Sequence, residues 1–238
     1  MNKQSNIYTV IYIIVMVVVV GAALAFTSMS LRERQTANAN ADKMKQILAS
    51  VKIAADVDNV AEQFKAHITE MLVVNSKGEV VKKGDANDMA IFNIDVAKEA
   101  KTAEAERQLP VYKCVLDDGQ VKYILPVSGS GLWGAIWGYI SLDDNGSTVY
   151  GAYFSHASET PGLGAEIAKD DFQDKFVGKQ FFVNDTFLPI KIMKSGQHPN
   201  DESDYVDGIS GGTITSKGVE SMIDNCLRPY EAYLRNLK

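Results

Sequence analysis

The sequence predicts an α+β protein, in which a single N-terminal transmembrane helix precedes one domain built on an antiparallel sheet flanked by helices. Three observations support this fold class. Residues 7–26 form an apolar run, four segments rich in β-branched and aromatic residues follow between residues 111 and 155, and helical patterns return after them. A chain of 238 residues with 46% hydrophobic side chains is long enough to bury one sizeable core.

The apolar run at residues 7–26 contains no charged side chain. As a helix it would span about 30 Å, which is the thickness of the hydrocarbon core of a bilayer. A cleaved signal peptide is the alternative, since Lys3 precedes the run and an Ala-Leu-Ala sequence lies near its end, but the apolar part of such a peptide is typically about 7 to 15 residues long. We therefore expect an uncleaved anchor over residues 1–30. The basic residues on its two sides nearly balance, so they do not orient it.

A polar linker is expected over residues 31–42, because this segment has no apolar periodicity. The soluble domain is expected over residues 43–238. A helix should lead into it, since apolar residues recur at helical spacing at Met44, Ile47, Leu48 and Val51.

The middle of the soluble domain has the pattern of an antiparallel meander. A hairpin is expected around residues 75–78, and residues 89–108 look irregular or helical. Four strands are predicted, and the turn sequences DDG, GSG and DDNG separate them. Their ranges are 111–116, 120–127, 135–142 and 147–155. A helix is then expected over residues 165–176.

The last helix is expected to begin with Thr215 or Ser216 as its N-cap, because hydroxyl side chains can accept hydrogen bonds from the first free N–H groups. Its apolar stripe consists of Val219, Met222, Ile223, Cys226 and Tyr230. Pro229 should kink or shorten this helix, since proline has no N–H group to donate.

Charge and cysteine content exclude two classes of function. The net charge of -6 and the pI of about 5.1 leave no basic field for a nucleic acid. Cys114 and Cys226 lie far apart, and no CxxC or Cys/His cluster surrounds them, so no zinc or iron–sulfur site is expected. We expect both to be buried thiols rather than a disulfide.

The segment DGISGGTITS, residues 207–216, carries four hydroxyl side chains and three glycines just before the last helix. Glycine lets another group approach the backbone closely. The N-terminus of a helix favours an anion, so a phosphate group is expected there. The order GxxxxGK[ST] is missing, since Lys217 follows the hydroxyls, and this excludes a mononucleotide P-loop.

Two other functions remain open for the hydroxyl-rich segment. A hydrolase would use Ser210 or Thr213 as a nucleophile activated by His156, but the chain has no GxSxG elbow, and a histidine at a strand end is more often structural. A non-enzymatic anchored ectodomain would use the same loops to bind an anionic ligand or a partner protein.

DGISGGTITS closely resembles the flavinylation motif of the FMN-binding domain family, which is Asp-Gly-x-Ser-Gly-Ala-Thr-x-Thr/Ser. The resemblance implies that Thr213 is esterified by the phosphate of FMN. The serine, the glycine after it and the final threonine of the motif correspond to Ser210, Gly211 and Thr215. Gly212 replaces the usual alanine, which leaves the loop more flexible. Asp207 matches the acidic position that the family's flavin transferase needs, and we expect it to be an exposed loop carboxylate.

Two further stretches resemble the same family. SHASETPGLGAEI, residues 155–167, is similar to the signature His-x-x-Glu-Thr-Pro-Gly-Leu-Gly, and GSGLWGAIWGYISL, residues 129–142, is similar to a Gly-Leu-Trp strand entry. The resemblance implies that residues of both stretches bind the isoalloxazine and ribityl groups. These residues are Trp133, Glu159, Thr160, Leu163 and Gly164. Trp137 is expected to be an ordinary core residue.

An anchor followed by one such domain is similar to the C subunits of the sodium-translocating NADH:quinone oxidoreductases, and MKQILASVKIA after the anchor resembles their Gln/Asn-Ile-Leu-Ala stretch. The G subunits of the Rnf ferredoxin:NAD oxidoreductases are the alternative. The resemblance implies an electron carrier of the bacterial inner membrane with a periplasmic domain, matured by a flavin transferase. Electrons would arrive from an iron–sulfur centre and leave to a flavin in a membrane partner, coupled to sodium export. No GxGxxG motif follows a strand, so we expect NADH to bind elsewhere in the complex.

Overall fold

A computed structural model describes residues 6–237 of the chain. The chain divides into two compact units, Met1–Lys43 and Met44–Lys238, and helix α1 (Asn6–Ser50) contributes to both. Helix α1 is long and apolar enough to cross a membrane, with a mean hydropathy of 2.8 in its most apolar window. The predicted apolar helix at the N-terminus is therefore confirmed.

Residues 31–42, where we expected a linker, are helical and continue α1 without a break. Eight of the twelve residues in this segment are alanine, arginine, glutamate, glutamine or leucine, and all of these are strong helix formers. The Thr36 hydroxyl donates to the Arg32 carbonyl at 3.0 Å, as in a regular helix. The apolar stripe is missing there because the side chains of residues 31–39 are exposed.

The second unit is built on a six-stranded antiparallel sheet with the strand order β2-β1-β3-β4-β5-β6. The strands are β1 (Ile68–Val74), β2 (Val80–Gly84), β3 (Leu109–Val115), β4 (Val121–Ser130), β5 (Ala135–Asp143) and β6 (Val149–His156). The predicted hairpin joins β1 to β2, and the predicted meander is formed by β3 to β6. Both predictions are confirmed.

Short helices connect the strands. Helix α2 (Val60–His67) precedes β1, and α3 (Met89–Phe92), α4 (Val96–Glu99) and a 3-10 turn (Glu104–Glu106) lie between β2 and β3. The helix expected over residues 165–176 is instead divided in three. Its parts are a 3-10 turn (Gly164–Ala168), helix α5 (Asp170–Gln173) and a second 3-10 turn (Asp174–Phe176).

Two small strand pairs precede the last helices. Strand β7 (Phe182–Val183) pairs with β8 (Thr186–Phe187), and β9 (Lys191–Met193) pairs in parallel with β10 (Tyr205–Asp207). Helix α6 (Thr213–Leu227), a 3-10 turn (Arg228–Tyr230) and α7 (Glu231–Arg235) follow. Helix α6 ends just before Pro229, as predicted. Tyr230 therefore lies beyond α6, but it is buried and its hydroxyl donates to the Pro110 carbonyl at 2.9 Å.

Helices cover both faces of the sheet, as the side chains of β5 show, because they point alternately to one face and the other. Ile136, Ile140 and Leu142 belong to the core that includes the buried stripe of α6. The intervening side chains point to the other face, where Trp137 Nε1 donates to Gln46 Oε1 at 3.0 Å and Ser141 Oγ donates to the Ser50 carbonyl at 2.6 Å. Successive residues of a strand point to opposite faces, so the last turns of α1 and helix α6 pack on opposite sides of the sheet.

The two cysteines are free and buried, which confirms the prediction of buried thiols. Burial raises the pKa of Cys114 to about 12. Cys226 lies on α6, and its thiol donates to the Ser128 carbonyl at 3.3 Å. Among residues 6–237, no group of three or more His, Cys, Asp or Glu side chains could hold a metal ion.

Candidate functional site

Three segments that are distant in sequence meet at the N-terminus of α6. They are loop 131–134 between β4 and β5, loop 157–164 after β6, and loop 208–212 before α6. Together they line a cleft of about 440 Å³. The lining includes nine of the predicted site residues: Trp133, Glu159, Thr160, Leu163, Gly164, Gly211, Gly212, Thr213 and Thr215.

Local hydrogen bonds shape two of these loops. Gly131 N–H donates to the Gly134 carbonyl at 2.8 Å, which closes the β4–β5 turn, and Ser158 Oγ donates to the Trp133 carbonyl at 3.0 Å. Gly162 adopts a φ of 75°, and its N–H donates to Glu166 Oε1 at 3.0 Å. Loop 157–164 is therefore the sharp turn that the Pro-Gly-x-Gly pattern predicts.

Thr213 is exposed and is the first residue of α6. The N-cap is Gly212, so the prediction of Thr215 or Ser216 was wrong. The Thr215 hydroxyl instead donates to Glu159 Oε2 at 2.6 Å, and the Ser216 hydroxyl accepts from the Ile209 N–H at 3.0 Å. No side chain of the described residues caps the helix. The first N–H groups of a helix lack intrahelical acceptors, so this terminus can accept an anion.

Large apolar side chains form the open wall of the cleft. Trp133 is 67% exposed and Leu163 is 42% exposed, so neither is a core residue. Leu132 and Ile214 are also exposed and line the same cleft, although they were not predicted as site residues. In the sequence, the indication that they belong to the site is that each lies next to a predicted site residue. Exposed apolar side chains around a concave surface are typical of a ligand site.

Glu159 is buried, with only 5% of its surface exposed. Its Oε1 accepts from the Trp133 N–H at 2.8 Å, and its Oε2 accepts from the Thr215 hydroxyl. Burial acts to raise the pKa of Glu159. The hydrogen bonds from Thr215 and from the N–H groups of Trp133 and Gly134 outweigh this and hold the pKa below its usual value. The carboxylate is therefore charged at neutral pH.

A second cavity, of about 270 Å³, lies beside the same residue, Thr213. It is lined by loop 208–211, which includes Ser210, and by residues 192–195 at the end of β9. The sequence carried no signal for residues 192–195. They reach the site because β9 pairs in parallel with β10, and Gly208 N–H continues this pairing to the Met193 carbonyl at 2.7 Å.

Three other residues considered from the sequence lie outside the cleft lining. Asp207 is the half-buried last residue of β10 rather than part of an exposed loop, and its carbonyl accepts from Lys175 Nζ at 3.2 Å. His156 ends β6, and its Nδ1 accepts from the Glu159 N–H at 3.2 Å, which is a structural role. Trp137 is half-buried and faces the side of the sheet that α1 covers.

The chain is similar to known proteins over most of its length. The family model of the FMN-binding domain matches residues 131–228, which include all three loops of the cleft. The C subunit of the Na(+)-translocating NADH-quinone reductase from Vibrio campbellii is 33% identical over 199 residues, covering 77% of this chain and 76% of the relative. The corresponding C subunit from Yersinia pestis is 31% identical over 194 residues, covering 76% and 73%.

Solved structures show the same relationship. The crystal structure of the Na(+)-translocating NADH-quinone reductase C subunit from Parabacteroides distasonis is 45% identical, with a TM-score of 0.78, and the match covers 86% of this chain and 96% of that one. Shewanella oneidensis NqrC is 21% identical and has the same fold, with a TM-score of 0.68 over 84% of this chain and 98% of that one. The chain therefore belongs to the family of Na(+)-translocating NADH-quinone reductase C subunits.

Proposed function

We propose that the chain is the electron-carrying C subunit of a sodium-translocating NADH:quinone oxidoreductase, and that FMN is joined through its phosphate to the hydroxyl of Thr213. One observation carries this proposal. Thr213 is an exposed threonine at the N-terminus of the 15-residue helix α6, which has no side-chain cap, and it lines a cleft with an apolar wall.

The loop before α6 fits a phosphate group. Its free N–H groups and the helix dipole stabilise negative charge beside Thr213. Gly211 has a φ of 74°, and a Cβ atom built on it would lie 2.6 Å from Leu163 Cδ2. The positive φ favours glycine at this position, whereas Leu163 Cδ2 ends an exposed side chain that can turn away. Ser210 adds an exposed hydroxyl on the second cavity.

The cleft fits a planar aromatic ring. Its volume of about 440 Å³ lies within the range of about 300 to 1,000 Å³ that is usual for small-molecule sites. Trp133 and Leu163 offer the apolar surface that would flank an isoalloxazine ring, together with Leu132 and Ile214. Thr160 is exposed and lines the cleft, so its hydroxyl is available to hydrogen-bond the ribityl group.

Attachment requires an activated flavin nucleotide, because a phosphate ester does not form from free FMN in water to a useful extent. A flavin transferase would supply FMN as a phosphoanhydride. The Thr213 oxygen would form the new bond to phosphorus as the anhydride P–O bond breaks, the leaving nucleotide would take the electron pair, and the hydroxyl proton would go to a base. Asp207 lies six residues before Thr213 and would be recognised by the transferase.

Bound FMN transfers electrons one or two at a time. The residues of this chain would hold it so that the carrier is not lost between partners, while other proteins of the complex bind NADH and quinone and move sodium. Helix α1 would anchor the chain in the bacterial inner membrane, with the second unit on the periplasmic side. The similarity to C subunit relatives favours this complex over the Rnf alternative.

The test is the mass and colour of the purified chain after co-expression with a flavin transferase. The wild-type chain should gain the mass of FMN less one water and should stay fluorescent after acid precipitation.

Thr213→Val should lose both signals and remain folded, since only the hydroxyl is removed. Thr186→Val is the matched control, because it removes an exposed threonine hydroxyl on β8, outside both cavities, and should keep the flavin. An unaltered mass gain in Thr213→Val would refute the attachment site. Flavin that washes out of the wild-type chain would favour a reversible anion-binding ectodomain.

A further inference from the structure

We propose that Glu159 is a positioning residue, whose carboxylate holds loop 131–134 against the first turn of α6 and places a negative charge beside the cleft. The positioning part follows from contacts within this chain. The effect of the charge on a flavin rests on the function proposed above.

The carboxylate connects two segments that are distant in sequence and that also pack on each other where Gly218 of α6 meets Ser130 and Gly131. Oε1 accepts from the backbone N–H of Trp133, and Oε2 accepts from the hydroxyl of Thr215, two residues after Thr213. Glu159 thus links the loop that carries the exposed indole to the helix turn that carries the exposed hydroxyl. The buried position of Thr215, which is 2% exposed, keeps water from competing for this hydrogen bond.

Two glycines leave the space that the carboxylate occupies. A Cβ atom on Gly131 would lie 2.5 Å from Glu159 Oε1, and one on Gly164 would collide with Glu159 Oε2 and with Thr215 Oγ1. The glycines of the GSGLWG and ETPGLG stretches therefore serve the carboxylate as well as the turns. Glu159 keeps its two hydrogen bonds because both neighbouring loops lack side chains at these positions.

The charge has a defined electrostatic effect on any redox group in the cleft. Glu159 lines the cleft, and its surroundings favour the ionised form. A negative charge opposes the addition of an electron to a neighbouring group by Coulomb repulsion, which is stronger where water is partly excluded. The carboxylate should therefore lower the midpoint potential of a flavin held beside it.

The first measurement is amide hydrogen exchange in the flavin-free chain, using Thr213→Val as the background. Glu159→Gln keeps the size of the side chain but replaces a charged acceptor by a neutral one. Hydrogen bonds to charged acceptors are stronger, so exchange of the Trp133 amide should become about ten-fold faster, a factor equivalent to about 1.4 kcal/mol.

Glu166→Gln is the matched control. It makes the same chemical change in the same stretch, where the Glu166 carboxylate accepts from the Gly162 N–H. This variant should accelerate the Gly162 amide and leave the Trp133 amide unchanged, and Glu159→Gln should do the reverse. Thr215→Ser keeps the donor to Glu159 and should resemble the background chain, whereas Thr215→Val should also accelerate the Trp133 amide.

The second measurement is the midpoint potential of the flavin-loaded chain. Glu159→Gln should raise it, and Glu166→Gln should leave it unchanged, because only the first removes a charge beside the cleft. Wild-type exchange at Trp133 in Glu159→Gln would overturn the positioning role. An unchanged potential would overturn the role of the charge. The exchange result holds even if no flavin attaches, so a failure of the proposed function is distinguishable from a failure of this inference.

Discussion

Replacing Trp133 by alanine separates a ligand-binding role of this indole from a packing role. Trp133 is 67% exposed, so the protein buries about one third of its surface. With about 250 Å² for a whole tryptophan side chain and about 25 cal/mol per Å², the lost burial corresponds to at most about 2 kcal/mol. No internal cavity forms, because the site already opens to solvent. The free energy of unfolding of the flavin-free chain should therefore fall by no more than about 2 kcal/mol.

The same substitution should strongly change a bound flavin, because it opens one side of the ring to water. We expect the ester at Thr213 to persist, while the fluorescence yield and the midpoint potential shift. Denaturant unfolding, redox titration and emission spectra are the assays. Trp137→Ala is the matched control, since Trp137 faces the α1 side of the sheet and should leave the flavin unaffected. Unchanged flavin properties in Trp133→Ala, with a stability loss of about 3 to 5 kcal/mol typical of a core aromatic, would refute the reasoning.

Three further predictions follow from local geometry. Gly164→Ala should destabilise the chain by about 1 to 3 kcal/mol in thermal or denaturant unfolding, because its Cβ collides with Glu159 and Thr215, and a neutral effect would show that these neighbours can move aside. The pKa of Glu159 lies below its usual value, so its contribution to stability is present above the unfolded pKa of about 4.3 and is lost as the pH falls through the folded pKa. Wild type should therefore lose more stability than Glu159→Gln between about pH 5 and pH 3 in unfolding curves at a series of pH values, and equal losses would argue against an ionised Glu159. Lys52 follows α1 with a φ of 62°, so Lys52→Gly should raise the free energy of unfolding by up to about 1 kcal/mol, and a loss of stability would show that contacts of the lysine outweigh its backbone strain.

The sequence alone was enough to predict the features that depend only on residues close together along the chain. The apolar run of α1 and the strands β3 to β6 were found because a hydrophobic run, β-branched content and turn residues act over a few positions. The strands begin within two residues of their predicted starts. The glycine and hydroxyl pattern around Thr213 also correctly indicated a helix N-terminus with free donors.

The tertiary structure decided which partner each polar group has. The hydroxyls of Thr215 and Ser216 looked like helix caps, but Thr215 bonds to the distant Glu159 and Ser216 to Ile209 in the preceding loop, and the N-cap of α6 is Gly212. Residues 31–42 lacked an apolar stripe because they are an exposed part of α1.

The composition of the cleft was likewise settled only by chain packing. Residues 192–195 border Thr213 through a parallel strand pair that no local pattern encodes. Glu159 belongs to a recognisable motif, but the direction of its carboxylate follows from Gly131 in loop 131–134, Gly164 in its own loop and Thr215 in the first turn of α6. Sequence patterns identify residues that are capable of binding a ligand. The orientation of a buried carboxylate depends on the hydrogen-bond donors around it, and those donors come together only when the chain folds.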